Sequence, residues 1–256
     1  MPAKWIAGWV GILALLAGCQ SSASTTPDTV VRDRQGVARD ASGEKNHGLN
    51  QGVPVVGVPG RHGTAYLFED ASFWIQVPSN DKLNPGPSSF VVGAWINLPS
   101  PPPAGKTVSV VRKGLLDSSG GDFMLEINSD GRVQCTLKEH LHLETKEGPD
   151  TDVADGRWHW VGCARSPRRL AAIADEEWRS TAIRTKVVNN DLPLAIGSAY
   201  GDGQPFGGRI DEVVYYVAAR VMSLEEGGLS LKWQIEYMQH PRYAVGIWHL
   251  DEADEE

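Results

Sequence analysis

Short runs in which apolar and polar residues alternate recur along most of the chain after Asp28, and glycine, proline and Asp-Gly pairs separate them. A period of two places the apolar side chains on one face of a strand, and many short strands with frequent turns are typical of a β-sandwich. The pattern therefore predicts an all-β domain. The candidate strands are Ala65–Phe68, Phe73–Val77, Phe90–Leu98, Val108–Lys113, Phe123–Asn128, Arg132–Leu143, Arg157–Arg165, Arg169–Ala174, Leu192–Ile196 and Gly208–Tyr216.

One short helix is expected near the C-terminus, over Ser223–Gln239. Ser223 is a suitable N-cap residue, and Glu226 stands three positions later, where its side chain can complete a capping box. The following pair Gly227 and Gly228 weakens this helix, because glycine loses the most conformational freedom on becoming helical.

The N-terminal residues follow a different pattern, in which Lys4 is the only charge ahead of the apolar run Trp5–Leu16. Twelve helical residues reach about 18 Å, whereas a bilayer core is about 30 Å thick, so residues 1–18 are expected to be an export signal and not a membrane span. Residues 16–19, Leu-Ala-Gly-Cys, resemble the lipobox of bacterial lipoproteins. The resemblance implies a lipid anchor on Cys19, and an ordinary cleaved signal with a chance cysteine is the alternative.

The lipoprotein resemblance implies a location at the cell envelope, and the charge of the chain limits its partners. Gln20 is not the aspartate that usually retains such lipoproteins in the inner membrane, so the resemblance implies the outer one. The tether over residues 19–35 begins rich in Ser, Thr and Ala, and one large domain is expected over residues 36–256. The formal net charge is −8, which argues against nucleic acid and against direct binding to anionic lipid.

Three cysteines are present, and assigning Cys19 to the lipid leaves Cys135 and Cys163. An exported chain meets an oxidising compartment, so a disulfide between these two is the natural interpretation. Both cysteines stand in alternating runs, and we expect those runs to be neighbouring strands. Two buried free thiols are the alternative.

Several segments follow one another in an order that is typical of a known family. They are Asp40–Gly48, with the pattern Asp-x-Ser-Gly-x-x-Asn-x-Gly, then Gly60–Phe68, Trp74–Pro78, Phe90–Ile96, Asp155–Val161, Leu194–Gly197 and Gly207–Val213. In this order they resemble the laminin-G-like branch of the concanavalin A-like lectin/glucanase superfamily. The resemblance implies a two-sheet antiparallel jelly-roll sandwich over residues 40–226, and it places both domain cysteines on strands that some family members join by a disulfide.

Two departures from the family pattern change the expected structure. The hairpin Ile173–Trp178 lacks the usual Asp-Gly turn, so a wider or differently shaped turn is expected there. The first strand of the family, Trp-x-Leu/Phe-Asp-Glu, is missing ahead of Asp40, but Ile247–Glu252 has this pattern near the C-terminus. We therefore expect a circularly permuted edge strand, which would leave no unpaired sheet edge.

Two places in the sequence are candidates for metal binding. The resemblance implies a structural calcium ion held by Asp40, Asn46 and Asp211, with turn hydrogen bonds as the alternative. The run His140–Glu144 alternates, so both of its histidines would share one strand face and could bind zinc or copper. A solvated strand face is the favoured interpretation of that run, because a third ligand is not evident.

The function expected from the sequence is binding and not catalysis. Outward aromatic residues are the usual platform for sugar rings, and Trp74, Trp178 and Tyr200 are the candidates, with half-buried rim positions as the alternative. A glycanase would need paired carboxylates about 5–9 Å apart, and no strand offers them by sequence. A glycan or an envelope protein is the expected ligand, and a structural subunit of an envelope assembly is the alternative function.

Overall fold

The computed structural model describes residues 36–251 except 54, 70–71, 116–118, 140–141, 185–186, 199, 201–204 and 219–243. The expected signal, Cys19, the tether over 19–35 and the helix Ser223–Gln239 lie outside the described residues. No helix in the described part of the chain is long and apolar enough to cross a lipid bilayer.

Sixteen strands and one short 3-10 helix are present in the described residues. The bounds are β1 Val37–Ala38, β2 Gly48–Gln51, β3 Val55–Pro59, β4 Thr64–Phe68, β5 Trp74–Val77, the 3-10 helix Asp81–Leu83, β6 Ser89–Asn97, β7 Thr107–Lys113, β8 Asp122–Asn128, β9 Val133–Glu139, β10 His142–Glu147, β11 Trp158–Arg165, β12 Arg169–Ala174, β13 Glu177–Ala182, β14 Leu194–Ile196, β15 Gly208–Ala218 and β16 Ala244–Trp248.

These strands form two antiparallel sheets, so the predicted sandwich is confirmed. Sheet I has the order β1-β2-β5-β14-β7-β8-β9-β10. Sheet II has the order β13-β12-β11-β6-β15-β4-β3, and β16 also pairs with β15. The alternating side chains that point inward from both sheets make one core, whose largest members include Trp248, Phe90, Phe123 and Tyr215. Each such side chain contributes about 1.5–3 kcal/mol when it is removed from water.

One local prediction was wrong, and a second had left two outcomes open. The expected strand Arg132–Leu143 is a hairpin, because β9 ends at Glu139, opposite His142, where β10 begins. Alternation continues through both strands of this hairpin, so the period alone could not reveal the turn. The turn between β12 and β13 was expected to be wider or differently shaped, and it is not wider, since Ala174 pairs directly with Glu177. Asp175 takes the left-handed conformation (φ 51°) that this turn needs, and aspartate tolerates it.

The disulfide between Cys135 and Cys163 is present, but its strands are not neighbours in a sheet. Cys135 lies on β9 of sheet I, and Cys163 lies on β11 of sheet II. The bond therefore crosses the core and joins the two layers, with a Cα–Cα distance of 5.3 Å. Closing a loop between cysteines 28 positions apart restricts the unfolded chain by about 3–4 kcal/mol.

The expected C-terminal strand is confirmed, although it begins at Ala244, three residues earlier than predicted. Val213 of β15 lies opposite Trp248 of β16. The preceding residues Gly208–Ile210 of β15 pair with β4. Because β6 occupies the other side of β15, β4 and β16 follow one another along the same side. The circular permutation itself stays a prediction.

A histidine held between two carboxylates fixes the start of β11. Nδ1 of His159 lies 2.7 Å from Oδ2 of Asp175, and Nε2 lies 3.0 Å from Oδ1 of Asp155. Oδ1 of Asp175 also accepts a hydrogen bond from the amide of Trp160, so the β12–β13 turn is tied to β11. Burial disfavours the imidazolium, but the hydrogen bonds to Asp175 and Asp155 outweigh it and raise the pKa of His159 above 6.5.

This raised pKa predicts a pH dependence of stability. The stabilisation by His159 is fully present below its unfolded pKa of about 6.5 and is lost as the pH rises through the higher folded pKa. We expect His159→Gln to lower the free energy of unfolding by about 1–3 kcal/mol at pH 5.5, and by less at pH 8.5. Urea unfolding at both pH values measures this difference. His249→Gln is the matched control, because His249 also contacts a carboxylate, that of Glu212, but its ring is half exposed to water. An equal effect of both substitutions on the free energy of unfolding would contradict the role of His159.

Candidate functional site

The outward face of sheet I has an unusual set of polar residues. On β8, Phe123, Leu125 and Ile127 face the core, so Asp122 and Glu126 point the other way. Yet these outward carboxylates are nearly inaccessible, at 0% and 8% exposure. Arg112 on the neighbouring β7 is only 5% exposed and lies opposite Met124. Charged side chains that are buried on a sheet face need compensation, and such a site is a candidate for function.

Two of the three predicted ligand-binding aromatics meet on this face. The rings of Trp74 and Tyr200 are 5.4 Å apart between centroids in an edge-to-face arrangement. The guanidinium carbon of Arg112 lies 5.7 Å from the centre of the Tyr200 ring. Trp74 and Tyr200 are both half-buried, so part of each ring is accessible to a ligand. The third aromatic, Trp178, lies on β13 at the edge of sheet II and is 38% exposed, so the structure does not bring it to this site.

Backbone hydrogen bonds hold the Tyr200 ring in place. Its hydroxyl donates to the carbonyl of Pro193 (2.6 Å) and accepts from the amide of Gly114 (2.8 Å). The backbone of Tyr200 is left-handed, with φ 60°, which a bulky residue adopts only at some strain. Burial raises the pKa of this hydroxyl, so the ring stays neutral at ordinary pH. The result is a preorganised aromatic edge beside Arg112.

Amide side chains surround the aromatic pair. Gln51 on β2 lies directly opposite Trp74 on β5, and Gln76 stands two residues further along the same face. Both amides are half-buried, and each can donate and accept hydrogen bonds. We call Gln51, Trp74, Gln76 and Tyr200 the aromatic face. Its combination of ring edges and amides suits a polyhydroxylated ligand better than a purely apolar one.

Asp122 lies on β8, next to the β7 strand of Arg112, in an environment that disfavours its charge. Burial raises the pKa of its carboxyl to about 6, and the positive charges of Arg112 and Lys138 offset only part of that effect. Among the described residues, neither carboxylate oxygen makes a well-formed hydrogen bond. Glu126, by contrast, accepts hydrogen bonds from the hydroxyls of Thr107 (3.2 Å) and Ser109 (3.4 Å).

Asp122 and Glu126 are two carboxylates on one strand face, but they do not form the closely spaced pair that a glycanase needs. Four residues separate them, which corresponds to about 13 Å along a strand, and Met124 stands between them. Glycosidase carboxyl groups lie about 5–9.5 Å apart across the scissile bond. This spacing does not suit glycoside hydrolysis.

The predicted calcium ligands Asp40 and Asn46 belong to one hydrogen-bonded loop. Oδ1 of Asp40 accepts from the amides of Ser42 and Ile247, and Oδ2 accepts from the Ser42 hydroxyl and the Asn46 amide. The side-chain oxygen of Asn46 accepts from Asn80, and its amide donates to Val245. These oxygens therefore make the turn hydrogen bonds that the alternative interpretation expects.

Asp211 differs from the other two predicted ligands. Its Oδ2 accepts from the backbone amides of Arg61 (2.7 Å) and His62 (2.9 Å). Its Oδ1 is buried and has no hydrogen-bond partner among the described residues. Burial raises the pKa of Asp211 to about 6, and the charges of Glu212 and Asp251 add to this rise. Calcium binding by Asp40, Asn46 and Asp211 stays a prediction.

The histidine run is only partly described, since His140 lies outside the described residues and β10 begins at His142. The turn after Glu139 interrupts the single strand on which that metal-site interpretation depended. In the described part of the chain, no group of three or more His, Cys, Asp or Glu residues could hold a metal ion.

Arg112 and Asp122 were not among the predicted site residues. A signal for Asp122 was available, because Asp122-Phe123-Met124-Leu125-Glu126 alternates from its first residue. The two residues are adjacent only through strand pairing, which a single sequence does not give.

Comparison with protein families gives a match over residues 70–226 to a laminin-G-like family, described as the concanavalin A-like lectin/glucanases superfamily. This range covers more than half of the chain, and the expected resemblance is confirmed. No curated protein sequence matches the chain.

Solved structures with a similar fold include chains of two toxins and one domain of an arabinanase. The binding domain of Paraclostridial Mosquitocidal Protein 1 has a TM-score of 0.53 and 14% identity, covering 72% of this chain and 44% of that one. Botulinum neurotoxin type C, whose cell entry is dependent upon interaction with two ganglioside molecules, has a TM-score of 0.55 and 11% identity, covering 73% and 47%. This chain thus spans less than half the length of either toxin chain.

Domain 4 of AbnA, an extracellular arabinanase from Geobacillus stearothermophilus, was solved in complex with arabinotriose. It has a TM-score of 0.50 and 16% identity, covering 80% of this chain and 88% of that domain. At such low identities, all three likenesses concern the fold alone.

Proposed function

This chain belongs to the concanavalin A-like lectin/glucanases superfamily, and on that premise we propose that it is a non-catalytic carbohydrate-binding lipoprotein of the cell envelope. The aromatic face, where the edges of Trp74 and Tyr200 meet beside two glutamines, is the observation that supports this function most directly. Sugars present C–H surfaces that stack on aromatic rings and hydroxyls that bond amides. The arabinotriose complex of the arabinanase domain and the ganglioside dependence of the botulinum toxin support the same class of ligand.

The spacing of the outward carboxylates supports a binding role over hydrolysis. Asp122 and Glu126 are about 13 Å apart along β8 and almost fully buried, so they fit the support of a binding face and not a reacting pair. The similar solved structures are mainly binding domains.

We predict that Trp74→Ala weakens glycan binding by about 10- to 100-fold, because it removes an aromatic surface worth about 1.5–3 kcal/mol. A glycan array identifies the ligand, and calorimetry with the best oligosaccharide measures the affinity of each variant. Trp74→Phe should keep most of the affinity.

Trp178→Ala is the matched control for that experiment, since it removes the same side chain from an exposed position on the other sheet. Equal loss of affinity in both alanine variants would contradict the assignment of the aromatic face. An array with no glycan hits, together with one stoichiometric protein partner recovered from solubilised membranes, would overturn the proposed function in favour of a structural subunit.

The proposed anchor is a lipid on Cys19, supported by the apolar run Trp5–Leu16 and the Leu-Ala-Gly-Cys tetrad. More than one acyl chain gives a durable attachment, because each buried methylene contributes about 0.8 kcal/mol. We expect labelled palmitate to enter the wild-type protein in a bacterial host, and Cys19→Ser to abolish both the label and recovery in the outer-membrane fraction. Unchanged membrane recovery of Cys19→Ser would contradict lipid anchoring.

The proposed calcium site predicts ligand-dependent stability, because an ion that binds only the folded state raises the melting temperature. The unpartnered Oδ1 of buried Asp211 supports this site. We expect calcium at a hundredfold excess over Kd to raise Tm by about 5–10 °C relative to EDTA, and Asp211→Asn to remove the shift. Equal melting temperatures of the wild type in calcium and in EDTA would contradict the site.

A further inference from the structure

An open cleft with a basic rim lies away from the aromatic face. Its volume is about 560 Å³, within the range of small-ligand sites. The lining residues are Pro87, Pro167, Arg168, Ile183 and Arg184. We call these five residues the arginine cleft.

Backbone and side-chain hydrogen bonds fix the walls of this cleft. The amide of Ile183 donates to the carbonyl of Arg168 (2.9 Å), which joins the β11–β12 turn to the chain after β13. On the other wall, the guanidinium of buried Arg165 donates to the carbonyl of Gly86 (3.0 Å) and lies 5.3 Å from the centre of the Phe90 ring. The backbone of the cleft is therefore preformed, and mainly the exposed side chains of Arg168 and Arg184 need ordering when a ligand binds.

Charge is separated along the hairpin of β12 and β13. The turn end has Asp175, Glu176 and Glu177, and the open end has Arg168, Arg169 and Arg184. Six-residue strands keep the two ends about 20 Å apart, which exceeds the Debye length of about 8 Å at physiological ionic strength. The cleft is thus locally positive in a chain whose formal net charge is −8.

The lining selects a particular chemistry. Arginine forks match the geometry of a carboxylate and bind it through paired, charge-assisted hydrogen bonds. Pro87, Pro167 and Ile183 add apolar surface, on which the C–H face of a ring can pack. A bare inorganic anion would use the arginines only, whereas an acidic sugar would use both parts of the lining.

We propose that the arginine cleft is a second binding site, which takes the carboxylate-bearing ring of an acidic sugar. Arg168 and Arg184 bind the carboxylate, and the prolines and Ile183 contact the ring. This site is separate from the aromatic face and does not depend on it.

The test uses trigalacturonic acid as the probe and neutral galactotriose as its uncharged counterpart, with calorimetry on the full chain at 50 and 500 mM NaCl. We expect the acidic trisaccharide to bind at least about 10-fold more tightly than the neutral one at low salt, with a smaller ratio at high salt. Arg168→Gln and Arg184→Gln should each weaken its binding about 10-fold. Trp74→Ala should leave it unchanged, so that failure of this site and failure of the aromatic face are distinguished.

Arg179→Gln is the matched control, because it removes the same charge from the same hairpin at a residue paired with Asp150 outside the cleft. Equal binding of the acidic and neutral trisaccharides, or equal losses in Arg179→Gln and Arg168→Gln, would overturn the proposal. Inorganic phosphate or phosphatidylglycerol vesicles binding as tightly as trigalacturonic acid would also overturn it, because the apolar lining would then have no role. Melting curves of all variants confirm that each remains folded.

Discussion

The pairing of β16 with β15 is the constraint on which the rest of the sandwich depends. Without β16, residues Val213–Tyr216 of β15 would lack their partners on one side. Trp248 fills the core at 0% exposure, and its indole N–H donates to the carbonyl of Asn46. Through these contacts and the bonds of Asp40 to Ile247, the end of the domain holds its beginning in place.

The inner faces of the two sheets and the outer face of sheet I differ in the kind of side chain that they bury. The inner faces share the apolar core and are joined by the disulfide. The outer face of sheet I instead has the buried charges of Asp122 and Arg112, and Arg112 lies beside the half-buried Tyr200. Such buried polar groups stabilise a fold less well than apolar ones of similar size, which supports the binding role that we propose for this face.

Local patterns predicted much of the fold because each strand buries one face. Strands such as β6 and β11 were predicted within one residue, since their apolar runs end at clear turns. The β9–β10 turn was missed because alternation continues across it, and β1 and β2 were missed because they are short and partly polar. The disulfide pair followed from counting cysteines, but its path across the core depended on which sheet each strand joins. Trp74 and Tyr200 were predicted as separate candidate residues. That they lie together beside Arg112 could be known only from the order of the strands in sheet I.

The bond between Cys135 and Cys163 makes the stability of the fold depend on the redox state of its surroundings. While the two thiols are reduced, no covalent bond between side chains joins the layers, and the chain is easier to unfold. If the chain is exported as proposed, this bond forms only in the oxidising compartment. The fold then reaches its full stability after export and not before it.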